Sequence, residues 1–328
     1  MMASELAKGF TIPAPVVVSK DDTVLLLGAL LSSWDISSTI VADNDKIIGA
    51  VYGFQLVSYL MNSPEGELFK RLVLPVGQVL EGLGLAQIPS LSYRERFDSI
   101  MEKIASNKFE DVVLTNDSGQ LVGVLSLSRI ISSLALKKKR VNMKVRDVAS
   151  RLKLAAEEQP LLDALRYMMR NRVRRTVIRR KGKFYGLTER EVLRAFFSLE
   201  GLQSLNEDPQ KFLKSRLGQL VGARAKQLPR VSGDIHVHQA WRYVKGDPSA
   251  CVIVDHDRIA TPWDLVMKPY FEGKLFPCAT TWNLPLARRS RFATRLRRRP
   301  YDSNMTGSRS SGVPVGSCHG GNRRHMPS

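Results

Sequence analysis

Thr261 and Asp264 stand three residues apart, and Thr188 and Glu191 repeat that spacing 73 positions earlier. If each Thr closes a strand and each acid falls in the first turn of a helix, the pair has a defined chemistry. The carboxylate can accept both hydroxyls of a ribose as a charge-assisted pair. The Thr hydroxyl and the free N–H groups of the helix end face a phosphate. Arg190 lies inside the second segment, and the Arg-rich run 172–180 offers further phosphate contacts, with a solvated basic face as the alternative. For Thr261 and Asp264 the competing reading is a plain helix cap, since both residue types cap helices anywhere.

Other reactive side chains do not assemble into a site. His236 and His238 would share a face on a strand, but the helical pattern running through Trp241 makes them diverge, and no Cys or third close His completes a zinc set. His256 falls in a hairpin turn. The sequence has no nucleophile elbow, Walker-type loop, dinucleotide fingerprint or Cys matched to a His, so no catalysis, metal or required cofactor is expected. The three cysteines, Cys251, Cys278 and Cys318, form no CxxC pair, and no charged-then-apolar leader opens the chain, which points to a cytoplasmic protein. The apolar run 24–31 is far shorter than the ~18 residues of a membrane span, so no membrane partner is expected.

The elements that must position the Thr and acid pairs recur four times. In the second copy Ser92 and Glu95 form a capping-box start, and Phe97, Ile100, Met101 and Ile104 line one helical face. DVVLT (111–115), the turn NDSG (116–119) and QLVGVLS (120–126) then make a hairpin, and Ser128 opens an apolar helix. The third copy has Pro160 near a helix start, Leu161, Leu165, Met168 and Met169 on one face, RTVIR (175–179), the turn KGK (181–183) and FYGLT (184–188). In the fourth copy, Val237, Ala240, Trp241 and Val244 make the helix, ACVIV (250–254) and RIAT (258–261) the strands, and Pro262 suits the first position of the last helix. The first copy has an apolar helix at 24–31, then STIVA (38–42), the turn DNDK (43–46), IIGAVY (47–52) and a helix over about 54–61.

The equivalent residues Tyr52, Ser126, Thr188 and Thr261 are 74, 62 and 73 positions apart, too long for solenoid repeats. They mark tandem small units of ~60 residues, marginal alone, which should pair through their sheets into two modules. The first pair spans 1–136, with repeats at about 10–70 and 71–136. The basic stretch Lys137, Lys138, Lys139 and Arg140 opens a linker over 137–143. The second pair spans 144–276, with repeats at about 144–200 and 210–276.

The chain's net charge of +19 is unevenly spread: residues 277–328 hold ten Arg and one acid, Asp302, with no Lys, Glu, Gln or Ile. This composition reads as a disordered basic tail, either an altered reading frame or a non-functional extension, or a nucleic-acid-binding arm. Lys137, Lys138, Lys139 and Arg140 are a second candidate for nucleic acid, with a basic interdomain linker as the more common outcome. Without interleaved aromatics only salt-sensitive phosphate contact could be argued there.

This order of elements, closing with Gly-apolar-apolar-Thr/Ser-x-x-Asp at the last helix, resembles the cystathionine-β-synthase (CBS) domain family over about residues 1–275. The resemblance implies an α/β (α+β) protein of four tandem CBS domains, each a helix-strand-strand-helix unit, paired into two Bateman modules with a disordered tail. It further implies adenosine-containing ligands in the clefts between paired sheets, with Thr/Ser and Asp holding phosphate and ribose. Copy four keeps Thr261-Pro262-Trp263-Asp264, although Ile259 and Ala260 replace the Gly-apolar pair. Copy three reads Thr188-Glu189-Arg190-Glu191, with Gly186 displaced by one position. Tyr52-Gly53-Phe54-Gln55 and Ser126-Leu127-Ser128-Arg129 lack the acid.

The expected protein is a stand-alone regulator that binds AMP, ADP, ATP or S-adenosylmethionine in the second module. It signals to an unknown protein partner through a conformational shift, and face-to-face association into a homodimer is implied by the resemblance. The expected ligand contacts are Thr261, Asp264, Thr188, Glu191, Arg190 and Ser126. A nucleic-acid-associated protein and a ligand-free interaction scaffold are the alternatives, the second with Tyr52, Phe54 and Arg129 filling the first module's clefts.

Overall fold

Each of the four hairpins turns where its sequence supplies residues that tolerate a left-handed backbone. In the third, Lys181 and Gly182 both take positive φ, 47° and 74°, the combination that a two-residue turn matched to strand twist requires. In the second, the Asn116 Oδ1 accepts from the N–H groups of Ser118 at 3.1 Å and Gln120 at 2.8 Å, closing the loop locally. A computed structural model describes residues 16–275 apart from 35, 45, 64–66, 84–89, 108–110, 172, 209–213, 220–224 and 248. The expected disorder of 277–328 lies outside these residues.

The first repeat runs β1 (Val17–Ser19), α1 (Val24–Ser33), β2 (Ser38–Asp43), β3 (Lys46–Tyr52) and α2 (Gly53–Met61), followed by α3 (Leu68–Val73) and α4 (Val76–Leu83). The second contains β4 (Ser90–Ser92), α5 (Phe97–Asn107), β5 (Asp111–Thr115), β6 (Leu121–Ser126) and α6 (Leu127–Leu136). The third contains α7 (Val145–Val148), β7 (Ser150–Arg151), β8 (Leu154–Ala155), α8 (Leu161–Asn171), β9 (Arg175–Arg180), β10 (Lys183–Thr188), α9 (Glu189–Phe196) and α10 (Leu199–Glu207). The fourth has β11 (Lys226–Gln227), β12 (Arg230–Val231), α11 (Val237–Ala240) leading into a 3₁₀ turn at Trp241–Tyr243, β13 (Val252–Val254), β14 (Arg258–Ala260) and α12 (Pro262–Phe271).

Among the described residues the strands form four small sheets, ordered β1-β2-β3, β4-β5-β6, β11-β10-β9-β8 and β12-β13-β14-β7. In the last two, strands are exchanged. β7, which leads into the third repeat, pairs antiparallel with β14 of the fourth, and β11, which leads into the fourth, pairs with β10 of the third. The exchange explains Gly186: a Cβ there would stand 3.0 Å from Leu228, the residue that follows β11.

The units pack on one another in two directions, because each helix-strand layer has two apolar faces to bury. Sheets meet within a module. Ile40 and Ala50 of the first repeat pack on Val113 of the second, and Val177 and Phe184 of the third pack with Cys251 and Ile253 of the fourth. Helices meet between modules. Leu27, Leu31 and Leu56 of the first repeat share a core with Val192, Leu193 and Phe196 of the third. Ile130, Ile131 and Leu134 of the second share another with Trp241, Leu265 and Met267 of the fourth. The four repeats are therefore closed on one another. Helical faces of both modules are thus covered within one chain.

Candidate functional site at the helix starts

In every repeat the second strand runs straight into its closing helix, and the residue at the junction is extended and caps the helix. These residues are Tyr52, Ser126, Thr188 and Thr261. Strand register places the first residue of the repeat's other strand opposite the cap: Ser38 opposite Tyr52, Asp111 opposite Ser126 and Arg175 opposite Thr188. The helix starts and the strand starts thus come to the same ends of the sheets.

Thr261 and Asp264 form a closed capping box. The Asp264 Oδ2 accepts from the Thr261 N–H at 3.0 Å and from its hydroxyl at 2.9 Å, and the Asp264 N–H donates back to the Thr261 Oγ1 at 3.4 Å. The other carboxylate oxygen accepts from the Ser150 hydroxyl at 3.1 Å and is paired with the Lys268 ammonium at 2.8 Å. Ser150 reaches Asp264 because β7 is an exchanged strand, a relationship no local pattern announces. Lys268 also donates to the Val148 carbonyl and, at 3.3 Å, to the Ser150 hydroxyl.

Thr188 and Glu191 repeat the box. The Glu191 Oε2 accepts from the Thr188 N–H at 2.8 Å and from its hydroxyl, and Arg194 stands 3.6 Å from the Oε1. Ser126 caps α6, its Oγ accepting from the Arg129 N–H at 3.4 Å and lying 2.9 Å from the Ser128 hydroxyl. In the third and fourth repeats the expected ligand contacts hold one another, and in the second Ser126 is held by its own helix. Thr261, Thr188 and Ser126 are therefore present as caps, and the second oxygen of Asp264 is shared by Ser150 and Lys268.

Between the helix starts, the four repeats meet around buried charge. Arg190, buried in the first turn of α9, donates to the Asp247 Oδ1 at 2.7 Å and to the Ser249 hydroxyl, both in the fourth repeat. Arg175 donates to the Ala250 carbonyl at 2.8 Å. Arg174 sends its Nε and Nη2 to one oxygen of Glu189, at 2.9 and 2.6 Å. Asp111, almost fully buried, accepts from the Ser38 hydroxyl of the first repeat at 3.3 Å. One oxygen of Asp111 and one of Glu189 are buried without a hydrogen-bond partner. A Cβ on Gly53 would stand 3.1 Å from the Glu189 side chain, which brings the first repeat's helix start to the same place.

Burial raises the Asp111 carboxyl above its ordinary value, against the pull of Arg174, the Ser38 hydroxyl and Arg129. Burial likewise lowers the Arg129 guanidinium, opposed by Asp111. Burial pushes the Asp247 carboxyl up, but Arg190, the Ser249 N–H and hydroxyl, and Lys226 together hold it below the usual carboxylate range.

Arg190 and the 172–180 run were visible in the sequence as basic residues, whereas Asp111, Glu189 and Asp247 were not singled out. The only local signal was an acid heading an otherwise apolar strand, DVVLT. Lys137 caps the end of α6, and Lys138, Lys139 and Arg140 follow it in a short ordered linker. His236 and His238 do not diverge as expected. His236 is the cap of α11 and not part of a full turn, so its ring stacks on that of His238 with centroids 5.5 Å apart. Among the described residues no group of three His, Cys, Asp or Glu could hold a metal ion, and no helix is long and apolar enough to cross a membrane.

No protein-family model matches the sequence, and no curated protein matches it. Solved structures do. A Methanocaldococcus jannaschii protein described as an archaeal homologue of γ-AMPK aligns with a TM-score of 0.69 at 16% identity, covering 82% of this chain and 100% of that one. An uncharacterised conserved protein from Pyrococcus horikoshii aligns with a TM-score of 0.46 at 16% identity, over 78% of this chain and 95% of that one. A CBS-domain-containing protein from Agrobacterium tumefaciens aligns with a TM-score of 0.33 at 18% identity, over 40% of this chain and 92% of that one. At these identities the likeness is one of fold. The chain has the fold of tandem CBS domains, with four repeats closed on one another.

Proposed function

We propose that this chain is a non-catalytic regulatory protein that binds an adenosine-containing ligand in the module of the third and fourth repeats. AMP, ADP, ATP and S-adenosylmethionine all carry the part this site would recognise. The observation that supports the reading most is the Asp264 carboxylate at the first turn of α12. It is buried to 6% exposure, with one oxygen committed to Thr261 and the other held by exchangeable donors, Ser150 and Lys268. A ribose diol replacing Ser150 would form a charge-assisted pair, with the Lys268 ammonium facing anionic groups. Thr188, Glu191 and Arg190 form the corresponding position in the third repeat, and Ser126 in the second.

Regulation would follow from where these helix starts lie. Arg190 and Glu189 sit in the first turn of α9, and their partners Asp247, Ser249 and Arg174 belong to adjoining elements. A ligand that binds one arrangement of these ion pairs better than another would shift the population of repeat arrangements, and a protein partner would read the shift. Calorimetric titration with the four ligands, on the native chain and on Asp264→Asn, tests the reading. Loss of a charged partner of the ribose should weaken binding by about 10- to 150-fold.

A second reading, a ligand-free interaction scaffold, is favoured by one observation: both acids of the second module are already consumed as caps of their own helices. It requires no heat with any of the four ligands from chain shown to be folded.

A further inference from the structure

In the first module the two sheets meet on a thin apolar contact. Ile40 and Ala50 of the first repeat lie against Val113 of the second, with Ile47, Leu121 and Val124 partly buried around them. Residues two apart on a strand share a face. Ser38 therefore stands on the Ile40 face of β2, and Asp111 on the Val113 face of β5. Their hydrogen bond, 3.3 Å from the Ser38 hydroxyl to the Asp111 Oδ2, continues the apolar contact at its end.

That end is electrically unfinished. Asp111 is 3% exposed, and its Oδ1 is buried with no hydrogen-bond partner among the described residues. The groups that act on its charge come from three repeats: the Ser38 hydroxyl on β2, Arg129 in the first turn of α6, and Arg174 and Glu189 at the starts of β9 and α9. Arg174 is engaged by Glu189 at 2.6 Å. A buried carboxylate oxygen without a donor disfavours the charged form. A proton on Oδ1 removes the charge and leaves Oδ2 able to accept from Ser38.

The second module is built differently at the equivalent place. Strand register sets Arg175 opposite Thr188 as it sets Asp111 opposite Ser126. Arg175 donates to the Ala250 carbonyl at 2.8 Å, beside the sheet contact of Val177 and Phe184 with Cys251 and Ile253. A guanidinium keeps its charge at any working pH. One position thus carries a fixed charge in the second module and a buried titratable group in the first.

We propose that protonation of Asp111 operates the contact between the first and second repeats, whose sheets close on the Ser38–Asp111 bond when the carboxyl is neutral and part at that end when it is charged. Water reaching the carboxylate then supplies the missing hydrogen bonds. This costs less than unfolding either repeat, because only the small contact at Ile40 and Val113 is disturbed. Burial raises the Asp111 carboxyl above its ordinary value, so the closed form binds the proton more tightly. Closure is favoured on acidification and lost as the pH rises through the closed-state value. The switch needs no ligand, so the nucleotide reading can fail without it.

Hydrogen–deuterium exchange of the full chain over about pH 4 to 8, with each amide referred to its intrinsic rate at that pH, is the test. Strands β2, β3, β5 and β6 report on the first module, and β9, β10, β13 and β14 of the second are the internal reference. Native chain is compared with Asp111→Asn and Ser38→Ala. First-module protection in the native chain should fall by roughly 5- to 150-fold with rising pH, the equilibrium equivalent of one unsatisfied buried group, while the second module stays level. Asp111→Asn should abolish the fall. Ser38→Ala removes a donor that favours the charged carboxyl, so it should move the midpoint to higher pH, whereas a merely structural loss would lower protection equally at every pH. Should Asp111→Asn lose protection in both modules, Ser38→Ala decides alone. First-module protection that tracks the second module at every pH in the native chain overturns the inference. So does a fall that persists unchanged in Asp111→Asn, or a Ser38→Ala midpoint at or below the native one.

Discussion

The Asp264 carboxylate accepts both the N–H and the hydroxyl of Thr261, at 3.0 and 2.9 Å, so the two residues proposed to hold a ligand also hold the start of α12. Any substitution at this pair therefore changes stability as well as binding. Thr261→Ala should cost about 1 kcal/mol, the usual value of a lost N-cap. Asp264→Ala should cost more, because it also leaves Lys268 without its carboxylate. Urea unfolding of both variants checks the order. A binding loss in Asp264→Asn counts as evidence only at temperatures where the variant remains folded.

The Arg190 ion pair joins the third repeat to the fourth, and removing one partner strands the other. Arg190→Met should destabilise by roughly 2 to 4 kcal/mol, since Asp247 and the Ser249 hydroxyl lose a buried donor. Combining Arg190→Met with Asp247→Ala should recover part of that loss. A double-mutant cycle showing simple additivity would contradict the direct coupling drawn here.

Asp111 gives the centre a pH dependence of unusual sign. Its folded-state carboxyl lies above the ordinary value of 3.8, so folding favours its protonated form. The destabilisation is complete where the carboxylate is charged in both states. It is relieved as the pH falls through the raised folded value, and is gone below 3.8, where both states are protonated. Asp111→Asn should therefore melt higher than the native chain at neutral pH, with the difference shrinking on acidification. Asp247 works the other way: its lowered carboxyl contributes stability above 3.8 that is lost as the pH falls through its folded value. Thermal melts of Asp111→Asn and native chain over an acid series read the first effect, since Asp247 is common to both.

The cores shared between modules predict what happens when a module is cut free. A fragment of residues 137–276 would expose Leu265, Met267, Val192 and Phe196, which are buried against the first module in the whole chain. In sedimentation velocity the fragment should self-associate with rising concentration, and the full chain should show no comparable dependence. A fragment that stays monomeric would mean the helical faces contribute little.

Much of this architecture could be read along the chain because its signals are local. Helix faces such as Phe97, Ile100, Met101 and Ile104, the turn at Lys181 and Gly182, and the Thr caps each depend on residues a few positions apart. Their order alone implied four repeated units, and the spacing of Thr261 and Asp264 alone implied a capped helix start with an acid in its first turn. Three-dimensional closure decided the rest. That Ser150 lies on Asp264, that Arg190 meets Asp247 and that Asp111 is buried beside Arg174 all depend on contacts between residues 57 to 114 positions apart. Strand exchange and helix packing between modules create those contacts by burying apolar faces that no short pattern assigns to a particular partner. Local periodicity thus specified the elements and their caps, and only the burial of their second faces determined which charges meet.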